Sequence, residues 1–108
     1  MNALGLRIRA VRRLLNMTQA QLAELLHISR ETVVKWEKGE RLPQLPQLIY
    51  LRSVFGISID FIADGDLSTL RQDVALELQR LLADEMARES RTRPSSPNGA
   101  GESEESDE

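Results

Sequence analysis

Apolar residues return every three or four positions through most of the chain, the spacing of helices with one buried face. Leu4, Ile8, Val11 and Leu15 share a face of a first helix predicted over 3–15, while Arg9, Arg12 and Arg13 project elsewhere. Asn16 suits a left-handed stop, because asparagine tolerates positive φ. Thr18 and Gln21 have the spacing of a capping box, which starts a second helix over 19–26 that buries Leu22, Ala23 and Leu26. Only His27 and Ile28 separate it from Ser29, the N-cap of a third helix ending at Lys38 and closed by Gly39. Val33 and Trp36 share the inward phase of that helix, so Trp36 reads as core rather than as a stacking platform.

Pro43 and Pro46 mark a loop and the first turn of a fourth helix, whose apolar face is Leu48, Leu51, Val54 and Phe55 and which ends near Gly56. Ser58 caps a short fifth helix through Ile62, closed by Gly65. A longer helix is expected from Asp66 or Ser68 to Arg88. Its Leu67, Leu70, Val74, Leu78 and Leu81 form a narrow 3-4-3-4 stripe, like a coiled-coil seam, that something must cover. The stripe has two readings: it packs back on the preceding helices, or it pairs with its twin in a dimer, and dimerisation is the one preferred. The division is then 1–65, a compact helical domain; 66–90, the C-terminal helix; and 91–108, a tail. Past Arg93 the chain turns to Pro, Ser, Gly and acid with no apolar residue larger than alanine, too little to offset the entropy of ordering, so this tail is expected to be disordered.

Charge divides the same way. Residues 1–58 carry nine Lys/Arg against four acids, a net +5, and residues 59–108 carry five against 13, a net −8. A basic first half points to phosphate; an acidic tail points to solvation or to a basic partner. With 108 residues, 41% of them hydrophobic and 29% charged, the chain holds one small domain and an appendage. No run of about 18 apolar residues predicts a membrane span, and residues 1–13 lack the unbroken apolar core of a signal peptide. There is no cysteine, which excludes disulfides, thiolate catalysis and cysteine-bound zinc and fits a reducing cytoplasm. His27 is the sole histidine, so it reads as a turn residue rather than a metal ligand. Asp73 and Glu77 stand at i and i+4, but with Arg71 and Arg80 beside them they read as a solvated charged face. Neither an enzyme, a metal nor a cofactor is expected.

Two short helices joined by a tight turn, the second carrying exposed Arg and Lys, describe a helix-turn-helix. The stretch 18–39, TQAQLAELLHISRETVVKWEKG, closely resembles the lambda-repressor/Cro-like (XRE-type) DNA-binding domains. The resemblance covers about 4–64, with the flanking Arg9 and Arg12, the downstream Gly39, Arg41 and Pro43, and the pair Ser58 and Asp60; it does not reach the C-terminal helix or the tail. It implies an all-α fold: a five-helix repressor-like domain followed by the longer helix and the acidic tail.

The resemblance also implies that helix 29–38 enters the major groove with its N-terminal turn toward the bases. Arg30, Glu31, Val34 and Lys35 share the side opposite Val33 and Trp36. Arginine or lysine can donate to guanine, glutamate can accept from cytosine, and valine can touch a thymine methyl. Glu31 is equally well explained as an acid at the positive end of the helix dipole. Gln19 would bond a phosphate from the start of the second helix, with Ser29, Lys38 and Arg41 as further backbone contacts and Arg9 and Arg13 as added charge. Arg12 would pair structurally with Glu37. Family members commonly act as dimers and also join near the fifth helix, which makes Phe61 and Ile62 a rival interface. The sequence departs from the family at His27, where glycine is usual because the turn takes positive φ. Leu14 and Leu25 replace residues that are often polar, and either are exposed or meet the C-terminal helix.

These features describe a cytoplasmic regulator, bacterial or phage-encoded, whose partners are a double-stranded DNA operator and a second copy of itself. An alternative makes it an antitoxin-like component whose C-terminal helix and tail bind a protein. A third reading keeps the fold as a docking module without DNA.

Overall fold

The computed structural model describes residues 3–92, and these form an all-helical fold without strands. Six helices follow in order: α1 (Ala3–Leu14), α2 (Gln19–Leu26), α3 (Arg30–Lys38), α4 (Leu45–Phe55), α5 (Ile59–Asp64) and α6 (Gln72–Thr92), with a single 3-10 turn at Leu67–Thr69 before the last. The boundaries follow from local chemistry. Thr18 accepts from the Gln21 N–H at 3.1 Å while the Gln21 side chain accepts from the Thr18 N–H at 2.9 Å, the reciprocal bond of a capping box. Ser29 and Ser58 cap α3 and α5 through bonds from Thr32 and Phe61, each 3.1 Å long. Asn16 (φ 57°) stops α1 and His27 (φ 59°) closes α2, both in the left-handed region. Histidine therefore takes the conformation that glycine adopts more easily, at a cost in strain.

α1 is the centre of the packing. It contacts α3, α5 and α6, and α2 crosses α3 beside it. The core gathers Ile8 and Val11 from α1, Leu22 and Leu26 from α2, Val33 and Trp36 from α3, Leu51, Ile57, Phe61 and Ile62 from the middle of the chain, and Leu78 and Leu81 from α6. Leu14 and Leu25 pack partly buried against this core. One close approach has a single cause: a Cβ on Gly5 of α1 would lie 2.4 Å from the carbonyl oxygen of Glu37, so only glycine lets the two helices meet there.

The C-terminal helix departs from expectation in two ways. It starts at Gln72 rather than at 66 or 68, and runs on to Thr92. Asp66 spends its side chain on a local turn, accepting from the Ser68 N–H at 2.9 Å and the Ser68 hydroxyl at 2.6 Å, and Leu70 follows in an extended conformation (φ −102°, ψ 156°). Leu67 and Leu70 therefore lie outside α6, and the five-residue seam is broken. Its cover is also supplied from within: Leu70, Leu78 and Leu81 are buried against the chain's own core, with Leu67 and Val74 packed beside them. Phe61 and Ile62 are buried too, at 0% and 1% exposure. Five of the seven residues expected at a dimer interface are thus buried within the single chain, because α6 turns back onto α1 and burying each leucine there contributes about 1.5–3 kcal/mol, while Leu67 and Val74 stay partly exposed. The acidic tail expected over 91–108 lies, past Thr92, outside the described residues.

Candidate nucleic-acid interface

The short turn after α2 sets α3 across it with one face inward and the other to solvent. Val33 and Trp36 are buried, as the 3.6-residue period requires. On the other side Arg30 and Glu31 are exposed, and Val34 and Lys35 half-buried. This face offers a guanidinium, a carboxylate, a branched apolar group and an ammonium within two turns. Lys38 and Arg41 extend the exposed positive charge past the end of the helix. Ser29 is engaged locally: besides capping α3, its hydroxyl shares a 2.8 Å hydrogen bond with that of Thr32.

Behind this face lies a buried carboxylate. Glu37 is 4% exposed, and a buried charge of this kind is retained only when paired and fully hydrogen-bonded. Arg12 donates to it at 2.6 and 3.1 Å and Arg9 at 3.3 Å, while the Gln19 amide donates at 3.0 Å. Arg12 also donates to the Met17 carbonyl at 3.1 Å, which fixes the α1–α2 connection. The Gln19 carbonyl oxygen accepts from Arg30 at 3.4 Å. The first side chain of α3 is thus linked, through Gln19 and Glu37, to the arginines of α1.

The sequence-expected residues divide accordingly. Arg30, Glu31, Val34 and Lys35 come together on one surface, with Gln19 touching it. Arg13 faces α6 instead, and Arg9 bridges Glu37 of α3 and Glu85 of α6. Arg13 donates to Asp84 at 2.8 Å and to Glu85 at 2.6 Å, and Arg9 to Glu85 at 3.3 Å. The bonds to Asp84, then to Glu85, raise the Arg13 guanidinium above even its ordinary high pKa. Asp73 and Glu77 are occupied by Arg71 and Arg80, and those bonds hold both carboxyls below their usual range.

Glu85, 2% exposed, is the residue sequence reasoning missed. The signal was present. It stands four residues after Leu81 and seven after Leu78, on the buried phase of α6, where a carboxylate must have a cationic partner.

Two helices crossing at a tight left-handed turn, with a solvent-facing basic second helix braced by a buried ion pair, define a helix-turn-helix. The chain belongs to that family, in its lambda-repressor-like branch: the helix-turn-helix family model matches residues 8–62. It is 39% identical over 51 residues to the HTH-type transcriptional activator BcrR of Enterococcus faecalis, covering 47% of this chain and 25% of that protein. It is 33% identical over 70 residues to the cryptic phage CTXphi transcriptional repressor RstR of Vibrio cholerae, covering 65% and 62%. It is 35% identical over 65 residues to repressor protein C2 of Salmonella phage P22, covering 60% and 30%. The chain thus spans between a quarter and just under two thirds of the length of these relatives. No solved structure matches it. Among the described residues no helix is long and apolar enough to cross a membrane.

Proposed function

We propose that the protein is a sequence-specific regulator of transcription, a dimeric repressor that reads double-stranded DNA in the major groove with residues 29–38. The observation that carries this reading is the exposed face of α3, where Arg30, Glu31, Val34 and Lys35 stand together on a helix held rigidly from behind by Val33, Trp36 and the Glu37 ion pairs. Those side chains match the donors, acceptors and methyl groups on base edges. Lys38 and Arg41 supply the sequence-independent grip on phosphate, as does Gln19 once it exchanges an internal bond for one to the backbone. The names of the relatives, two repressors and one activator of transcription, support regulation and favour repression.

The antitoxin-like alternative would have the C-terminal helix and tail bind a protein, and much of the leucine stripe of that helix is packed within the chain. No observation favours it over DNA.

Fluorescence-anisotropy titration against the DNA upstream of the protein's own gene, with scrambled duplex as control and at two salt concentrations, tests the reading. Tight, salt-sensitive binding to the upstream site over the control is expected. Arg30→Ala and Lys35→Ala should each weaken that binding by on the order of 1–3 kcal/mol and relax selectivity at one base position. If both variants footprint like the wild type, α3 is not the reading surface.

A further inference from the structure

Arginines on α1 and acids on α6 form the walls of one cleft of about 660 Å³, and its rim is the start of α2. Arg9, Arg12 and Arg13 line one side, Glu85, Arg88 and Glu89 the other, with Thr18 and Gln19 between them. Arg13 keeps 26% of its side chain exposed and Arg9 31%, so both are within reach of an anion arriving at that rim. Arg13 is nevertheless committed to α6, and Arg9 is divided between Glu37 of α3 and Glu85 of α6, at 3.3 Å from each. Glu85 takes both, and Asp84, itself 37% exposed and also bonded by Arg88, takes Arg13 a second time. Two carboxylates thus present their oxygens to guanidiniums as a phosphate group would. They do so from a helix that begins ten residues beyond the matched family segment.

We infer that Asp84 and Glu85 determine how firmly this protein grips DNA irrespective of sequence, by occupying Arg9 and Arg13, the two cleft arginines of α1 that bond α6, and withholding them from the phosphate backbone. The inference rests on the DNA-binding reading above and deepens it. Its physical logic is one of competition. Every duplex offers phosphates, so each further guanidinium contact tightens binding to operator and bulk DNA alike, and bulk DNA presents far more sites. Glu85 is suited to the task because it is buried beside its arginines: the ion pair is made within the fold and salt screens it less than an exposed pair. Asp84 is partly exposed and provides the weaker half of the hold.

The test is the salt dependence of binding by the full chain, measured by anisotropy on the upstream and scrambled duplexes. In the double variant Asp84→Asn, Glu85→Gln, which removes both carboxylates that hold Arg13, the slope of log affinity against log salt should steepen by about one and affinity for both duplexes should rise several-fold at low salt. Glu85→Gln alone, with Asp84 still on Arg13 and Glu37 still on Arg9, should give part of that change. Asp84→Asn, at a partly exposed position, should give a smaller change of the same sign. Glu77→Gln removes the same charge from the same helix but away from the cleft, and should leave the slope at its wild-type value. Arg13→Gln alone should also leave the slope unchanged, yet in the Glu85→Gln background it should bring the slope back toward wild type. A merely structural role for Glu85 would lower stability and affinity without steepening any slope. The inference is overturned if the double variant keeps the wild-type slope while the wild type binds its site, or if Glu77→Gln steepens it equally. Failure of the wild type to bind either duplex at low salt would overturn the DNA reading itself, and the inference with it.

Discussion

Gly5 shows how one residue fixes the spacing behind the α3 surface. A methyl group there would meet three backbone atoms, the Glu37 carbonyl oxygen at 2.4 Å, its carbon at 2.9 Å and the Trp36 carbonyl oxygen at 3.0 Å. None can turn aside as the end of a flexible side chain would, so α1 and the last turn of α3 must part. Gly5→Ala should therefore destabilise the fold by roughly 1–3 kcal/mol, read as a lower urea midpoint at unchanged slope. An unchanged midpoint would mean that the two helices are not in contact there. Nothing in the sequence marks this glycine, since a glycine in an apolar helical pattern looks the same whether it is tolerated or required. The Arg12–Glu37 pair was legible from the family resemblance. Glu85 was legible only to a reading that asked why a carboxylate occupies the buried phase of a helix.

At the level of elements, most boundaries were written in short local signals. Thr18 with Gln21, Ser29, Gly39, Ser58 and Gly65 each stand where a cap forms, because capping is decided within four residues and needs no knowledge of the fold. The start of α6 was misjudged for the same reason. Leucine periodicity ran straight through 67–70, but Asp66 had a nearer partner in Ser68, and the side-chain turn it makes outcompetes helix continuation. The Ser68 hydroxyl, then its backbone N–H, holds the Asp66 carboxyl below its ordinary value of 3.8. A folded pKa depressed below the unfolded one means that the contribution is fully present above about pH 4 and is lost as the pH falls through the folded value. Carboxyl-carbon NMR titration should thus place Asp66 below 3.8, and Ser68→Ala should move it back toward that figure. An Asp66 that titrates normally in the wild type would show that the turn does not form in solution.

For the whole molecule, the question is which surface remains for a second copy. The sequence pattern points to a dimer on the leucine stripe and near α5, and most of those side chains are buried within the chain, with Leu67 and Val74 partly exposed. Sequence cannot separate an intrachain cover from an intermolecular one, because both require the same apolar spacing. The fold separates them. Of the seven exposed large hydrophobic residues described, five lie within 42–54: Leu42, Leu45, Ile49, Tyr50 and Val54. α4 is apolar on both sides and only one side meets the core. Leu42 lines one pocket together with Arg41 and with Thr32 and Trp36 of α3, so the patch lies near the proposed DNA-reading surface. Contact between two such patches would join two reading helices for half-sites about 34 Å apart. The pair is expected to assemble chiefly on DNA, where adjacent half-sites hold the two patches together. Two chains should accordingly bind a palindromic duplex cooperatively, while the free protein sediments mainly as monomer at micromolar concentration. Leu45→Glu, at a position 59% exposed, should leave folding and single half-site affinity intact but weaken occupancy of the full palindrome by on the order of tenfold, the worth of one buried leucine. Equal losses on half-site and palindrome would place the defect in DNA contact rather than in the dimer, and unchanged binding to both would remove α4 as the interface.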